Sequence, residues 1–169
     1  MTYEAESGQR RWLLKALRES SGELFGIFRG FSERDLRWRP AEHEWCLKEI
    51  AAHMRDAELL FQRQIEAIAH EYEPRLPHES IDVLPSERDY RDEPLTRLLD
   101  EFGEAREETF WLLRMLGENE WQRCGEHPYR GRISIHDIAR ELHEHDLEHL
   151  YEARGLREAL RGVEALPSA

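Results

Sequence analysis

The sequence predicts an all-α fold, an antiparallel up-down four-helix bundle with one long crossover loop. Three observations predict it. Apolar residues recur at the three- and four-residue steps of a helix face over four long segments. Alternating strand patterns are almost absent. A proline-rich stretch without a sustained period separates the second segment from the third, the mark of a long connection in a bundle. With 169 residues, of which 40% are hydrophobic, the chain is long enough to bury a core, and a single domain over 1–169 is expected.

The first helix is expected over 9–29, with Trp12, Leu13, Leu17, Leu24, Phe25 and Phe28 on its apolar side and Gly30 as its stop. "RWRPAEHEW" follows as an extended connector, because Pro40 pushes Arg39 away from helical angles. The second helix, over 46–72, carries Ile50, Ala57, Leu60, Phe61, Ile65 and Ile68 at helical spacing. Pro74, Pro77, Pro85 and Pro94 then punctuate the crossover over 74–94. The third helix starts near Pro94, tolerated in a first turn, and runs through Leu98, Phe102, Phe110, Leu113 and Met115 to Gly117. "CGEHPYRGR" reads as a turn-rich connector. The fourth helix starts near Ser134, where Asp137 three residues on completes a capping-box pattern, and continues past Tyr151 to a frayed tail, "GVEALPSA".

Charge and composition exclude several function classes. A net charge of -12 disfavours nucleic acid, whose binding rests on basic surface releasing counterions. No stretch approaches the ~18 to 20 uninterrupted apolar residues of a spanning helix, so neither a membrane nor export is indicated and the protein is expected in the cytoplasm. Cys46 and Cys124 lie far apart without metal-ligand spacing and read as reduced, small apolar fillers.

The stretch over 139–155, "ARELHEHDLEHLYEARG", carries the chemistry. Ile135, Ile138, Leu142, His145 and His149 follow steps of three and four, so two histidines fall on the stripe that faces the bundle interior. On the second helix, Ile50, His53, Ala57, Gln64 and Ile68 share the inward stripe, which aims His53 the same way. Buried imidazoles need partners. His145 and His149, one turn apart, can reach one ion, and His53 closes a three-histidine set suited to zinc, nickel, copper or iron(II) with a position left open. Glu141, one turn before His145, is the candidate catalytic base, fourth ligand or ligand-orienting carboxylate, with a residue of the 74–94 crossover, expected to roof the pocket, as the alternative for proton transfer, and Asp56 is a candidate to orient a ring. A hydrogen-bonded histidine network without metal is the alternative. His136 and His143 are assigned to the surface or boundary, and Glu144, Asp146 and Glu148 to a solvated face. Trp38, Trp45, Trp111 and Trp121 read as packing residues.

The segment "PAEHEWCLKEIAAHMRDAELLFQRQI", followed far downstream by "HPYRGRISIHDIARELHEHDLEHL", resembles the DinB superfamily and its YfiT-like metal-dependent hydrolases. The shared pieces are Trp45 before the second helix, His53 in an aliphatic–Ala–His step with Asp56 and Glu58 after it, and His145 and His149 in the final helix. Cys46 stands where such sequences often have a capping serine or threonine. The resemblance implies a four-helix bundle, frequently a homodimer, that binds zinc or nickel, with iron a further candidate, through His53, His145 and His149. It also implies a metal-dependent enzyme acting on a small-molecule substrate, either a hydrolase or a transferase using a low-molecular-weight thiol. A non-catalytic bundle that binds a metal or a small ligand is the alternative.

Overall fold

A computed structural model of the chain describes the backbone of residues 3–164 and the side chains of 8–162, residue 86 excepted. Helix α1 (Tyr3–Ile27) buries Leu13, Leu17, Ser20, Leu24 and Ile27 at alternating steps of four and three. The turn that follows closes at Gly30, whose φ of 84° is open to glycine without strain. A short α2 (Glu33–Leu36) follows, started by Ser32 and Asp35, each side chain accepting the other's backbone N–H.

Helix α3 (Leu47–His70) begins at Cys46. The thiol makes no capping bond; the Glu49 carboxylate accepts the Cys46 N–H at 2.9 Å instead, and burial pushes the thiol pKa up. The expected inward set of Ile50, His53, Ala57, Gln64 and Ile68 is buried throughout. The crossover is not featureless, since it folds into a 3-10 turn (Ile81–Val83), α4 (Leu84–Glu87) and a second 3-10 turn (Tyr90–Asp92). After Pro94 come α5 (Leu95–Met115) and the single turn α6 (Glu118–Trp121).

The connector expected to be mere turn is an antiparallel hairpin, β1 (Cys124–His127) paired with β2 (Gly131–Ser134). Its strands are too short for an alternating pattern to stand out in the sequence, and Leu76 N–H donates to the Glu126 carbonyl at 2.9 Å, stitching the crossover onto it. A Cβ on Gly125 would lie 2.5 Å from Leu76 Cδ2 and 3.1 Å from Ile68 Cγ1. Gly125→Ala is therefore expected to lower stability by about 1–3 kcal/mol in urea denaturation, the usual range for overpacking. Helix α7 (Ile135–Glu164) starts with the expected box: Ser134 Oγ accepts the Asp137 N–H and Asp137 accepts the Ser134 N–H, both at 3.1 Å. The expected frayed tail falls, beyond Glu164, outside the described residues.

The four long helices form a four-helix bundle in which α1 and α3 each pack on both α5 and α7. Helices consecutive in the chain, α1 with α3 and α5 with α7, therefore face each other across the diagonal, and the connections over 28–46 and 116–134 span the bundle ends. Among the described residues no helix is long and apolar enough to cross a membrane.

The core has two apolar halves. One gathers Leu24, Phe28, Ile50, Met54, Phe102 and Leu150, the other Leu13, Leu17, Phe61, Ile65, Leu113 and Leu142. Between them lies a polar layer to which every long helix contributes. Arg106 of α5, 3% exposed, donates through Nη1 and Nη2 to Asp146 of α7 at 2.7 and 2.8 Å and through Nε to Glu58 of α3 at 2.9 Å. Ser20 of α1 donates to the same Asp146, and Arg106 also donates to the Leu17 carbonyl. Burial alone would lower the Arg106 pKa, but the charges of Glu58 and Asp146 outweigh it and raise it.

Asp146 thus corrects the solvated-face assignment. A helix packed on two neighbours buries a wider arc than one narrow stripe, and position 146, one turn after Leu142, falls inside it. His143 is likewise 9% exposed, edge-on to the Trp12 ring at 5.1 Å. Conversely Trp12, Trp111 and Met115 are exposed, at 57%, 51% and 77%, so these are not the buried anchors that their periodicity predicts.

Candidate metal centre

Helix α3 delivers His53 and helix α7 delivers His145 and His149 to one point at the edge of the polar layer. One ring nitrogen from each lies within 4.8 Å of the others. His53 Nε2 and His145 Nε2 are 2.9 Å apart, a separation that needs a shared proton or a shared cation between the two lone pairs. Burial pushes the His53 pKa down to about 4 and that of His145 to about 2, and the charge of the neighbouring His149 adds to both shifts. At neutral pH both rings are therefore uncharged, the form that binds a metal.

His149 has a carboxylate partner. Its Nδ1 lies 2.8 Å from Glu152 Oε2, and since a carboxylate only accepts, Nδ1 carries the proton, so that in the neutral ring Nε2 keeps its lone pair. That hydrogen bond from His149 is also the main cause of the lowered Glu152 pKa. Trp45 closes the other side, its ring 4.8 Å from His53 and stacked at 19° on His149, so it packs against imidazoles. Over the cluster opens a pocket of ≈ 840 Å³ lined by His145, His149, Glu152, Trp45, Asp82 and Leu156, among others. Among the described residues the crossover contributes only Asp82 to this lining, whereas the connector contributes Pro40, His43, Glu44 and Trp45.

Asp82, on the 3-10 turn of the crossover, has its Oδ1 3.8 Å from His53 Nε2 and its side chain 86% exposed. Two other expected site residues point elsewhere. Glu141 is bound by Arg130 of the hairpin at 2.7 Å and lines no part of this pocket among the described residues. Asp56 accepts from Arg55 Nε at 3.0 Å and from the Tyr90 hydroxyl and orients no imidazole.

A sequence-family comparison matches the family described as the DinB superfamily over residues 16–153, most of the chain and all three histidines. The chain belongs to the DinB superfamily. A DinB fold agrees with the similarity to a solved structure, YfiT from Bacillus subtilis, which is 16% identical and covers 95% of this chain and 90% of its own, with a TM-score of 0.83. YfiT is described as a probable metal-dependent hydrolase with an unusual four-helix bundle topology. In this DinB chain the pairs α1/α3 and α5/α7 lie across the diagonal, while α3 and α5, joined by the crossover, are neighbours. No curated protein matches the chain.

Two residues beside the histidine cluster, Glu152 and Asp82, are not among the candidates named from the sequence. Glu152 has a legible signal, a carboxylate three residues after His149 on the same helix face. Asp82 has none, because only the fold of the crossover brings it over His53.

Proposed function

We propose that this DinB protein is a metal-dependent hydrolase of a small-molecule substrate, with His53, His145 and His149 holding one zinc or nickel ion. The supporting observation is the convergence of three imidazole nitrogens within 4.8 Å beside a pocket of ≈ 840 Å³. The donor set fits such an ion: two rings are neutral at pH 7, and the third is fixed by Glu152 with its Nε2 free. A divalent ion held there supplies Lewis acidity for a carbonyl group and a nucleophile at neutral pH.

The chain's own residues then divide the remaining work. Glu152 orients His149, and Trp45 shields the His53 and His149 rings from water. Proton transfer falls to Asp82, the carboxylate that faces the pocket, rather than to Glu141, which is neutralised by Arg130. The size of the pocket favours a second reading, a transferase that admits a low-molecular-weight thiol beside its substrate, since ≈ 840 Å³ lies near the upper end of ligand sites.

Elemental analysis of untagged protein tests the metal. About one ion per chain is expected, with near none in the His145→Ala, His149→Ala double variant. Hydrolysis of an ester and lactam panel, abolished by chelator and restored by the same ion, is the expected activity. Turnover only when a thiol is added selects the transferase. Stoichiometric metal with no turnover of any substrate leaves a binding protein, and absence of metal from both proteins overturns the proposal.

A further inference from the structure

The pocket over the histidine cluster has charged walls of a single sign. Four carboxylates line it: Glu44 from the connector before α3, Asp82 from the crossover, and Glu148 and Glu152 from α7. Its other ionisable side chains are histidines, and no lysine or arginine lines it among the described residues. No basic side chain is missing from that count, because every lysine and arginine of the chain falls among the described side chains.

Such walls are not what this acidic chain presents everywhere. On other surfaces arginines meet the carboxylates: Arg97 holds Glu101, Arg130 holds Glu141 and Arg132 holds Glu73. Glu44 and Glu148, by contrast, have no lysine or arginine within 4.0 Å, and the ion-pair partners of Asp82 and Glu152 are imidazoles, among the described residues. Glu148 and Glu152 also stand four residues apart on α7, a like-charge spacing that destabilises a helix. A cation in the pocket relieves that repulsion.

A metal ion does not reverse the sign. A divalent ion held by uncharged imidazoles offsets two of the four carboxylates, so the pocket still attracts cations. Trp45, Ile50 and Leu156 add apolar wall, which suits an occupant with an organic body as well as a charge. We infer that this site takes an organic cation as its small molecule, an ammonium-bearing compound whose positive charge is recognised by Glu44 and Glu148 while its reacting group faces the histidines. The inference rests on the hydrolase reading above and names the substrate class for it. Glu44 and Glu148 are recognition groups in this scheme, and proton transfer stays with Asp82. Under the transferase reading, the same walls disfavour a thiol that carries several carboxylates.

Three probes test the charge: benzyltrimethylammonium, benzyl alcohol and benzenesulfonate share a ring, differ in charge and are weak ligands for zinc. In ¹H–¹⁵N spectra the Trp45 indole signal, assigned by its loss in Trp45→Phe, reports binding to the protein as isolated and after loading with zinc. The cation is expected to saturate that signal with at least about tenfold higher affinity than the alcohol, and the sulfonate is expected not to saturate it up to about 50 mM. Glu44→Gln and Glu148→Gln are each expected to weaken the cation about threefold, and the double variant about tenfold, with benzyl alcohol unaffected. Both side chains are exposed and neither pairs with a histidine among the described residues, so metal content and the remaining signals are expected to be those of the original protein. These binding measurements require no turnover: absence of hydrolysis with the cation preference intact overturns the hydrolase reading alone. Equal binding of the three probes, preference for the sulfonate, or unchanged cation affinity in the double variant overturns the inference, whatever the metal content.

Discussion

Replacing Arg106 by methionine is expected to lower the unfolding free energy by about 3–5 kcal/mol, the range for breaking a buried ion pair by removal of one partner. The size of the effect comes from what stays behind. Glu58 and Asp146 have side chains that are 0% exposed, and without the guanidinium both carboxylates are buried with no cation in the layer. Equilibrium urea denaturation measures the loss. The triple variant Arg106→Met, Glu58→Met, Asp146→Leu is expected to recover most of it, because an apolar layer of similar volume has no uncompensated charge. A loss below about 1 kcal/mol for Arg106→Met alone would mean that water reaches the layer and the charges are solvated.

Glu152→Gln is expected to weaken metal binding 10- to 100-fold while leaving stability nearly unchanged. Glu152 is 45% exposed on its side chain and among the described residues its ring partner is His149, so the fold does not depend on it. The carboxamide is a weaker acceptor for the Nδ1–H and leaves Nε2 less basic and the ring less fixed. Competition with a chromophoric chelator reads the affinity, and a parallel melting curve reads the fold. Unchanged affinity in Glu152→Gln would show that burial and Trp45 stacking alone orient His149.

The histidine cluster was legible because each of its members occupies a position that apolar residues otherwise hold. His53 replaces an aliphatic residue on the stripe of Ile50, Ala57 and Ile68, and His145 and His149 extend the stripe of Ile138 and Leu142. A polar residue at an inward position is conspicuous. The four long helices were legible for the same reason, to within a few residues except at the start of α1. Asp146 escaped because it sits among Glu144, His145 and Glu148, where its exposure is decided by how wide an arc α7 buries and by Arg106, 40 residues upstream. The hairpin escaped because its pairing joins residues whose local pattern says only turn. Asp82 escaped because a crossover without periodicity carries no information about which residue ends above His53.

The charged layer also keys the helices lengthwise. Apolar stripes repeat every three or four residues, so two helices that slide past each other by one turn still match leucine to leucine. The cluster of Ser20, Glu58, Arg106 and Asp146 has no such repeat: a slip of one turn would move Arg106 from its carboxylates into the neighbourhood of Phe102 or Phe110. Single polar positions in coiled coils fix alignment in this way. His53 and His145 lie within a few residues of Glu58 and Asp146 on the same two helices, so the lock that forbids slippage also sets the distance between histidines contributed by different helices. A bundle made more stable by filling that layer with leucine would lose the ruler by which its three imidazoles are brought to one point.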